Sequence, residues 1–188
     1  MADFSILRSF SSVNQFYLCI ITCKHMTSEE VMEWLSVVTD PEVPVLTILD
    51  LGIVRNIAIS GEGKDSTVKV SITPTYSGCP AMDVIAMGIR MALASHGVKH
   101  IVIENQISPA WTTDWMTEEG KLKLKAYGIA PPNRKTYQAL GLFEEDTVTC
   151  PHCGSEVTEL VSQFGPTSCK ALYKCLACRE PFEHFKCH

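Results

Sequence analysis

The sequence predicts an α+β protein: a small three-stranded α/β sandwich domain followed by a short C-terminal module held by cysteines. Three observations carry this. The 188 residues are 46% hydrophobic and 20% charged, the balance of a globular chain with one ordinary core. Between residues 27 and 107 the apolar period switches in the order helix, strand, strand, helix, strand, which suits helices covering one face of a sheet. Six of the nine cysteines fall in the last 39 residues, a length that buries too little apolar surface to fold unaided.

The elements follow in order. Residues 1–26 show no sustained period and are expected as an N-terminal extension without an assigned function. Thr27-Ser28-Glu29-Glu30 fits a capping box, and Val31, Trp34, Leu35 and Val38 then repeat at helical spacing. Asp40-Pro41-Glu42-Val43-Pro44 stops that helix, because each proline removes a donor and drives its predecessor into extended geometry. Leu51–Ile59 and Val68–Thr73 read as strands joined by the hairpin loop Ser60-Gly61-Glu62-Gly63-Lys64-Asp65-Ser66. Pro80 suits the first position of a helix whose apolar face, Met82, Ile85, Ala86, Ile89, Ala92 and Leu93, runs to Gly97. Lys99–Ile107 supplies a third strand. Residues 109–149 are expected as connector, with an aromatic loop at Trp111 and Trp115, a short helix from Thr117 to Gly128, and an acidic run Glu144-Glu145-Asp146.

Net charge is −5, and residues 150–188 carry four basic and four acidic side chains, so no basic stripe is available to neutralise phosphates. This argues against a nucleic-acid partner. The apolar stretch Phe16–Cys23 is too short to span a bilayer and has no A-x-A-like cleavage site after it. The expected compartment is the cytoplasm, where thiols stay reduced and cysteine pairs read as metal ligands or reactive groups.

Cys150-Pro151-His152-Cys153 and Cys175-Leu176-Ala177-Cys178 form two C-x2-C pairs separated by 21 residues. Each pair can wrap a turn that points two thiolates at one ion, and two pairs complete a closed tetrahedral site, so residues 150–188 read as a zinc ribbon with structural zinc. Iron in a rubredoxin-like shell is the alternative metal. A thiol-redox role for Cys-Pro-His-Cys is less well placed, because the downstream pair accounts for it. Cys169, Cys187, His184 and His188 lie outside this set and read either as a second soft-metal site or as packing and terminal residues. Cys169, in the loop between the pairs and expected within reach of solvent, is the strongest additional thiol.

Cys79, in Thr73-Pro74-Thr75-Tyr76-Ser77-Gly78-Cys79-Pro80, sits between a strand and a helix N-terminus. Unpaired N–H groups and the helix dipole there favour thiolate, which would make it a nucleophile or a soft-metal ligand. A small buried side chain at a strand–helix turn is the equal alternative. No His or Lys lies in the same motif to act as base.

The segments Asp40–Pro44, Ile48-Leu49-Asp50-Leu51-Gly52-Ile53-Val54 and Thr73–Pro80 together resemble the iron–sulfur assembly domain of SufT-like proteins, over residues 27–108. With Trp111-Thr112-Thr113-Asp114-Trp115 and Phe164–Cys175, the chain after residue 26 resembles the PaaD (PaaJ) family, accessory proteins of the phenylacetyl-CoA ring epoxidase. The leader departs from that pattern. The resemblance implies a non-catalytic role in phenylacetate breakdown, beside oxygenase subunits and a reductase carrying flavin and a [2Fe–2S] cluster. It implies that Cys79 contacts iron or a cluster transiently, with Asp50 as an acidic partner, and that Cys150, Cys153, Cys175 and Cys178 hold zinc. The competing class is a structural or regulatory oxygenase subunit with no cluster-transfer role. An independent enzyme is disfavoured, since no placed base or open metal site accompanies Cys79.

Overall fold

The computed structural model describes residues 26–61, 65–132 and 148–186. The leader up to residue 25, the centre of the hairpin loop, the acidic run Glu144–Asp146, Cys187 and His188 lie outside them.

Helix α1, Ser28–Leu35, starts as its sequence dictates. The Thr27 hydroxyl accepts from the Glu30 N–H at 3.2 Å and the Glu30 carboxylate accepts from the Thr27 N–H at 3.1 Å. Val31 and Leu35 are buried, and Trp34 stacks on His96 at 4.4 Å. Strand β1 is Val54–Ser60, starting later than the apolar run suggested. The reason is Gly52, whose φ of +66° makes Leu51-Gly52-Ile53 a tight turn that buries Leu51 and Ile53 before the strand begins.

Strand β2, Thr67–Ile72, pairs antiparallel with β1 and parallel with β3, His100–Asn105, and so occupies the centre of the sheet. Its alternating Val68, Val70 and Ile72 are fully buried. The parallel β2–β3 pair needs a crossover, which helix α2, Ala81–Ser95, provides. Met82, Ile85, Ile89, Ala92 and Leu93 bury its apolar face, and Pro80 is the residue before the helix rather than its first member.

After a 3-10 turn at Thr113–Trp115 comes helix α3, Glu118–Ala126, capped by the Thr117 hydroxyl on the Gly120 N–H at 2.9 Å. Strand β4, Ile129–Ala130, then joins the second sheet, whose order is β4-β7-β6-β5, with β5 Thr158–Ser162, β6 Lys170–Cys175 and β7 Pro181–Phe185. The segment expected as connector thus holds the expected short helix and, beyond it, a strand.

The two sheets share a core. Cys169, just ahead of β6, and Phe185 of β7 belong to the buried cluster of the first, where Phe185 meets Trp111 edge-on at 6.2 Å. The Trp111 indole N–H donates to the Leu51 carbonyl at 2.8 Å, tying this contact to the turn before β1. A second small cluster, Ala130, Val148, Cys150, Cys175 and Phe182, lies behind the cysteine knuckles.

Candidate metal centre and thiol site

The structure brings together Cys150, Cys153, Cys175 and Cys178, with all four sulfurs within 4.8 Å of one another. Cys150 and Cys178 are 3.8 Å apart and Cys153 and Cys175 are 3.5 Å apart. A tetrahedral zinc–thiolate site with bonds of about 2.3 Å has sulfur–sulfur edges of about 3.8 Å, so the four donors fit a zinc ion. Each knuckle turns the same way. The residue after its second cysteine takes a positive φ, +75° at Gly154 and +68° at Arg179.

The backbone N–H groups of the second knuckle point inward. That of Cys178 above all, with that of Ala177, brings the Cys175 thiol down to about 6. At Cys178 the N–H of Glu180 favours the thiolate, but burial and the crowding thiols of Cys175, Cys153 and Cys150 push it up to about 12. Four sulfurs this close cannot all ionise without a cation between them.

Cys79 sits half-buried in the turn ahead of α2, where Gly78 at φ +80° reverses the chain and the Cys79 N–H donates to the Tyr76 carbonyl at 3.2 Å. The helix terminus does act on it, since the Ala81 N–H hydrogen-bonds its sulfur. The expected thiolate is not the result. Burial pushes the thiol above its ordinary 9.0, outweighing the hydrogen bonds from Ala81 and Tyr76, and the Glu42 and Asp40 carboxylates push it further. Desolvation and like charge beat the helix terminus here.

Asp50 is buried and engaged from two sides. Its Oδ2 accepts from the Thr47 N–H and hydroxyl at 2.9 and 2.8 Å, and Lys123 Nζ of α3 reaches both oxygens at 3.1 and 2.9 Å. Burial opposes its ionisation, but the hydrogen bonds from Lys123 and Thr47 hold the carboxyl below its ordinary 3.8. The acidic groups that bear on Cys79 are Glu42 and Asp40, which belong to the Asp40–Pro44 motif but were not among the expected site residues. Their signal was the Asp-Pro-Glu turn itself, in which Asp40 Oδ1 accepts from the Glu42 and Val43 N–H groups at 2.7 and 2.9 Å.

Cys169, expected near solvent, is 3% exposed because it packs into the first domain's core. His184 is also buried. Its Nδ1 lies 3.2 Å from the Ala130 carbonyl and its ring packs edge-on against Tyr173, so packing rather than a second metal site accounts for it. Among the described residues no helix is long and apolar enough to cross a membrane.

Residues 28–101 match the family model described as iron–sulfur cluster assembly protein, and residues 134–186 match the one described as PaaD zinc beta ribbon domain. A protein of Escherichia coli (strain K12), provisionally named as one of the subunits of 1,2-phenylacetyl-CoA epoxidase, is 48% identical over 84% of this chain and 92% of its own length. A protein of Porphyromonas gingivalis named an Fe-S protein maturation auxiliary factor is 39% identical over 52% of this chain and 90% of its own. A conserved hypothetical protein of Thermotoga maritima, solved as a structure, is 31% identical over 54% of this chain and 96% of its own, with a TM-score of 0.46. With nearly the full length of the Escherichia coli epoxidase protein matched at 48% identity, and the ribbon matched separately, the chain belongs to the PaaD family.

Proposed function

We propose that the protein is a cytoplasmic, non-catalytic accessory factor of the phenylacetyl-CoA epoxidase system in phenylacetate breakdown, and that it helps assemble a metal centre there, most directly the reductase's iron–sulfur cluster. The observation that carries this reading is the pairing, in one chain that resembles a provisionally named epoxidase subunit along most of its length, of an iron–sulfur assembly domain with a PaaD zinc ribbon. Cys79 is the residue that contacts iron or cluster during transfer, and it lies within the segment matched as an assembly domain. Asp50 serves this role indirectly, since its carboxylate is engaged by Lys123 and Thr47 and positions the loop before β1.

The resident metal of the ribbon is zinc. A closed four-thiolate shell leaves no coordination position for water or substrate, so the ion holds structure and offers a rigid docking module to the oxygenase and reductase subunits. What the bound zinc supplies is folding free energy.

Co-expression of the reductase with the wild-type protein, with Cys79→Ser, or without it tests the assembly role. Full cluster occupancy is expected only with the wild type, and equal occupancy in all three overturns the reading. The Escherichia coli relative's name, which makes it part of the epoxidase, favours a second reading, a structural or regulatory component of the oxygenase. Stable stoichiometric co-purification with the oxygenase, combined with a dispensable Cys79, would establish that one instead.

A further inference from the structure

The β5–β6 loop of the ribbon, residues 163–169, ends on the sandwich beside the turn that carries Cys79. Cys169 at its end is buried among the first domain's core residues, and its Sγ donates to Glu42 Oε2 at 3.5 Å. One residue earlier, the Ser168 and Tyr76 hydroxyls are hydrogen-bonded, and the Tyr76 side chain also hydrogen-bonds the Cys79 sulfur. Tyr76 and Cys79 belong to one turn, closed by the Cys79 N–H on the Tyr76 carbonyl at 3.2 Å. A loop at the rim of a sheet commonly runs free over the surface. This one is braced: the Gly165 N–H donates to the Lys170 carbonyl at 2.8 Å, and Lys186 Nζ, from just beyond β7, donates to the Gln163 carbonyl at 2.8 Å.

We infer that this loop is a strap beside and over Cys79, held shut by the metal-bound ribbon, and that Cys79 meets a large partner only when the strap is lifted. The inference rests on the reading of Cys79 as the transfer residue and adds a control on access to it. Docking of the two domains is already served by Phe185 against Trp111. It does not call for polar contacts from one short loop to both the Asp40–Pro44 turn, through Glu42, and the Tyr76–Cys79 turn, through Ser168. Such contacts are weak enough to open and close, since each hydrogen bond shifts that equilibrium by only roughly two- to tenfold. Cys79 rests half-buried, as a covered thiol does.

The strap is rooted in the metal site. One leg, β6, runs from Cys169 directly to the ribbon ligand Cys175. The other, β5, follows Val157, whose carbonyl accepts from the N–H of Leu176 in the second knuckle at 2.9 Å. Loss of the ion frees both legs, because the cluster behind the knuckles is small. Lifting the loop while the sandwich stays folded is a local opening of the kind that precedes global unfolding.

The test alkylates the full-length protein with N-ethylmaleimide or with a polyethylene-glycol maleimide and reads the unmodified Cys79 peptide by mass spectrometry. The two reagents share one chemistry, so the thiolate fraction cancels in the ratio of their rates and steric access remains. With zinc bound, the bulky-to-small ratio at Cys79 should lie at least about tenfold below that of the urea-unfolded chain. A chelator should raise it, and restored zinc should lower it again. In zinc-retaining protein, Ser168→Ala should raise the ratio roughly two- to tenfold, the loss of one hydrogen bond. Cys169→Asp, which sets a second carboxylate against Glu42, should raise it at least as much. A zinc-loaded ratio equal to that of the unfolded chain overturns the strap and leaves the assembly role of Cys79 standing. Unchanged ratios in both zinc-retaining variants overturn it too, even where chelation raises the ratio, since loss of zinc can loosen the sandwich as a whole. Conversely, a shielded Cys79 that the variants release, beside reductase loading unaffected by Cys79→Ser, supports the strap and removes the assembly reading.

Discussion

At Asp50 two opposed effects act on one carboxylate: burial resists its charge, while Lys123 and Thr47 hydrogen-bond the ionised form, and the bonds win. Its folded pKa therefore lies below the ordinary 3.8, so the folded state binds fewer protons than the unfolded one. The resulting stabilisation is complete above about pH 4 and is lost as pH falls through the folded value. Asp50→Asn should cost about 1–2 kcal/mol at neutral pH, with most of the loss from hydrogen bonding because the Lys123 side chain is 32% exposed. Urea unfolding from pH 7 to pH 3 checks this, and the variant should show a shallower acid limb than the wild type. Cys79 is the opposite case. There the helix-terminal N–H is present, as its place before Pro80 suggested, yet burial and two acidic neighbours decide the protonation state.

At the scale of elements, the turn Leu51-Gly52-Ile53 is where several segments are registered. Trp111 donates to the Leu51 carbonyl, the Thr117 N–H donates to the Asp50 carbonyl at 2.9 Å, and Gly52 lies under Trp115, whose ring also stacks beneath Arg55 at 3.4 Å. A Cβ at Gly52 would fall on the Trp115 carbonyl oxygen, and the backbone there is left-handed besides. Gly52→Ala should therefore cost about 2 kcal/mol or more, read as a lowered urea midpoint with an unchanged slope. The helices and central strand were legible in the sequence because capping, period and alternation are local properties. The start of β1 was not, because the apolar run Leu51–Ile53 reads as strand until the glycine's backbone and its close neighbour are known. Strand β4 was hidden for a related reason, since two residues have no period of their own and exist as a strand only beside β7.

For the whole molecule, the ribbon carries a four-cysteine metal site and is docked on the first domain. Its own buried cluster is small, and apparent zinc-binding free energies of about 10–16 kcal/mol in small finger peptides show how much of such a module's folding a metal can supply. Its docking runs through Phe185 on Trp111 and Cys169 in the first domain's core. Removing the metal with a strong chelator should unfold residues 148–186, change the fluorescence of Trp111 and lower the melting temperature of the remaining domain. Restoring zinc should reverse all three. A chelated protein with unchanged tryptophan emission and melting temperature would show that the ribbon does not brace the first domain.

The four ribbon ligands were readable from spacing because a C-x2-C turn is a local device and two of them complete one tetrahedron. Cys79 could be placed at a helix N-terminus for the same reason. The sequence by itself therefore determined the fold class, the metal knuckles and the place of Cys79 ahead of a helix. Only the tertiary structure decided which groups surround that thiol. Glu42 and Cys169 are 127 residues apart in sequence, and they meet because the ribbon buries Cys169 and Phe185 against the sandwich. Burial and charge at a side chain are sums over neighbours from different elements, so no local pattern could have supplied the raised thiol pKa or the pairing of Asp50 with Lys123.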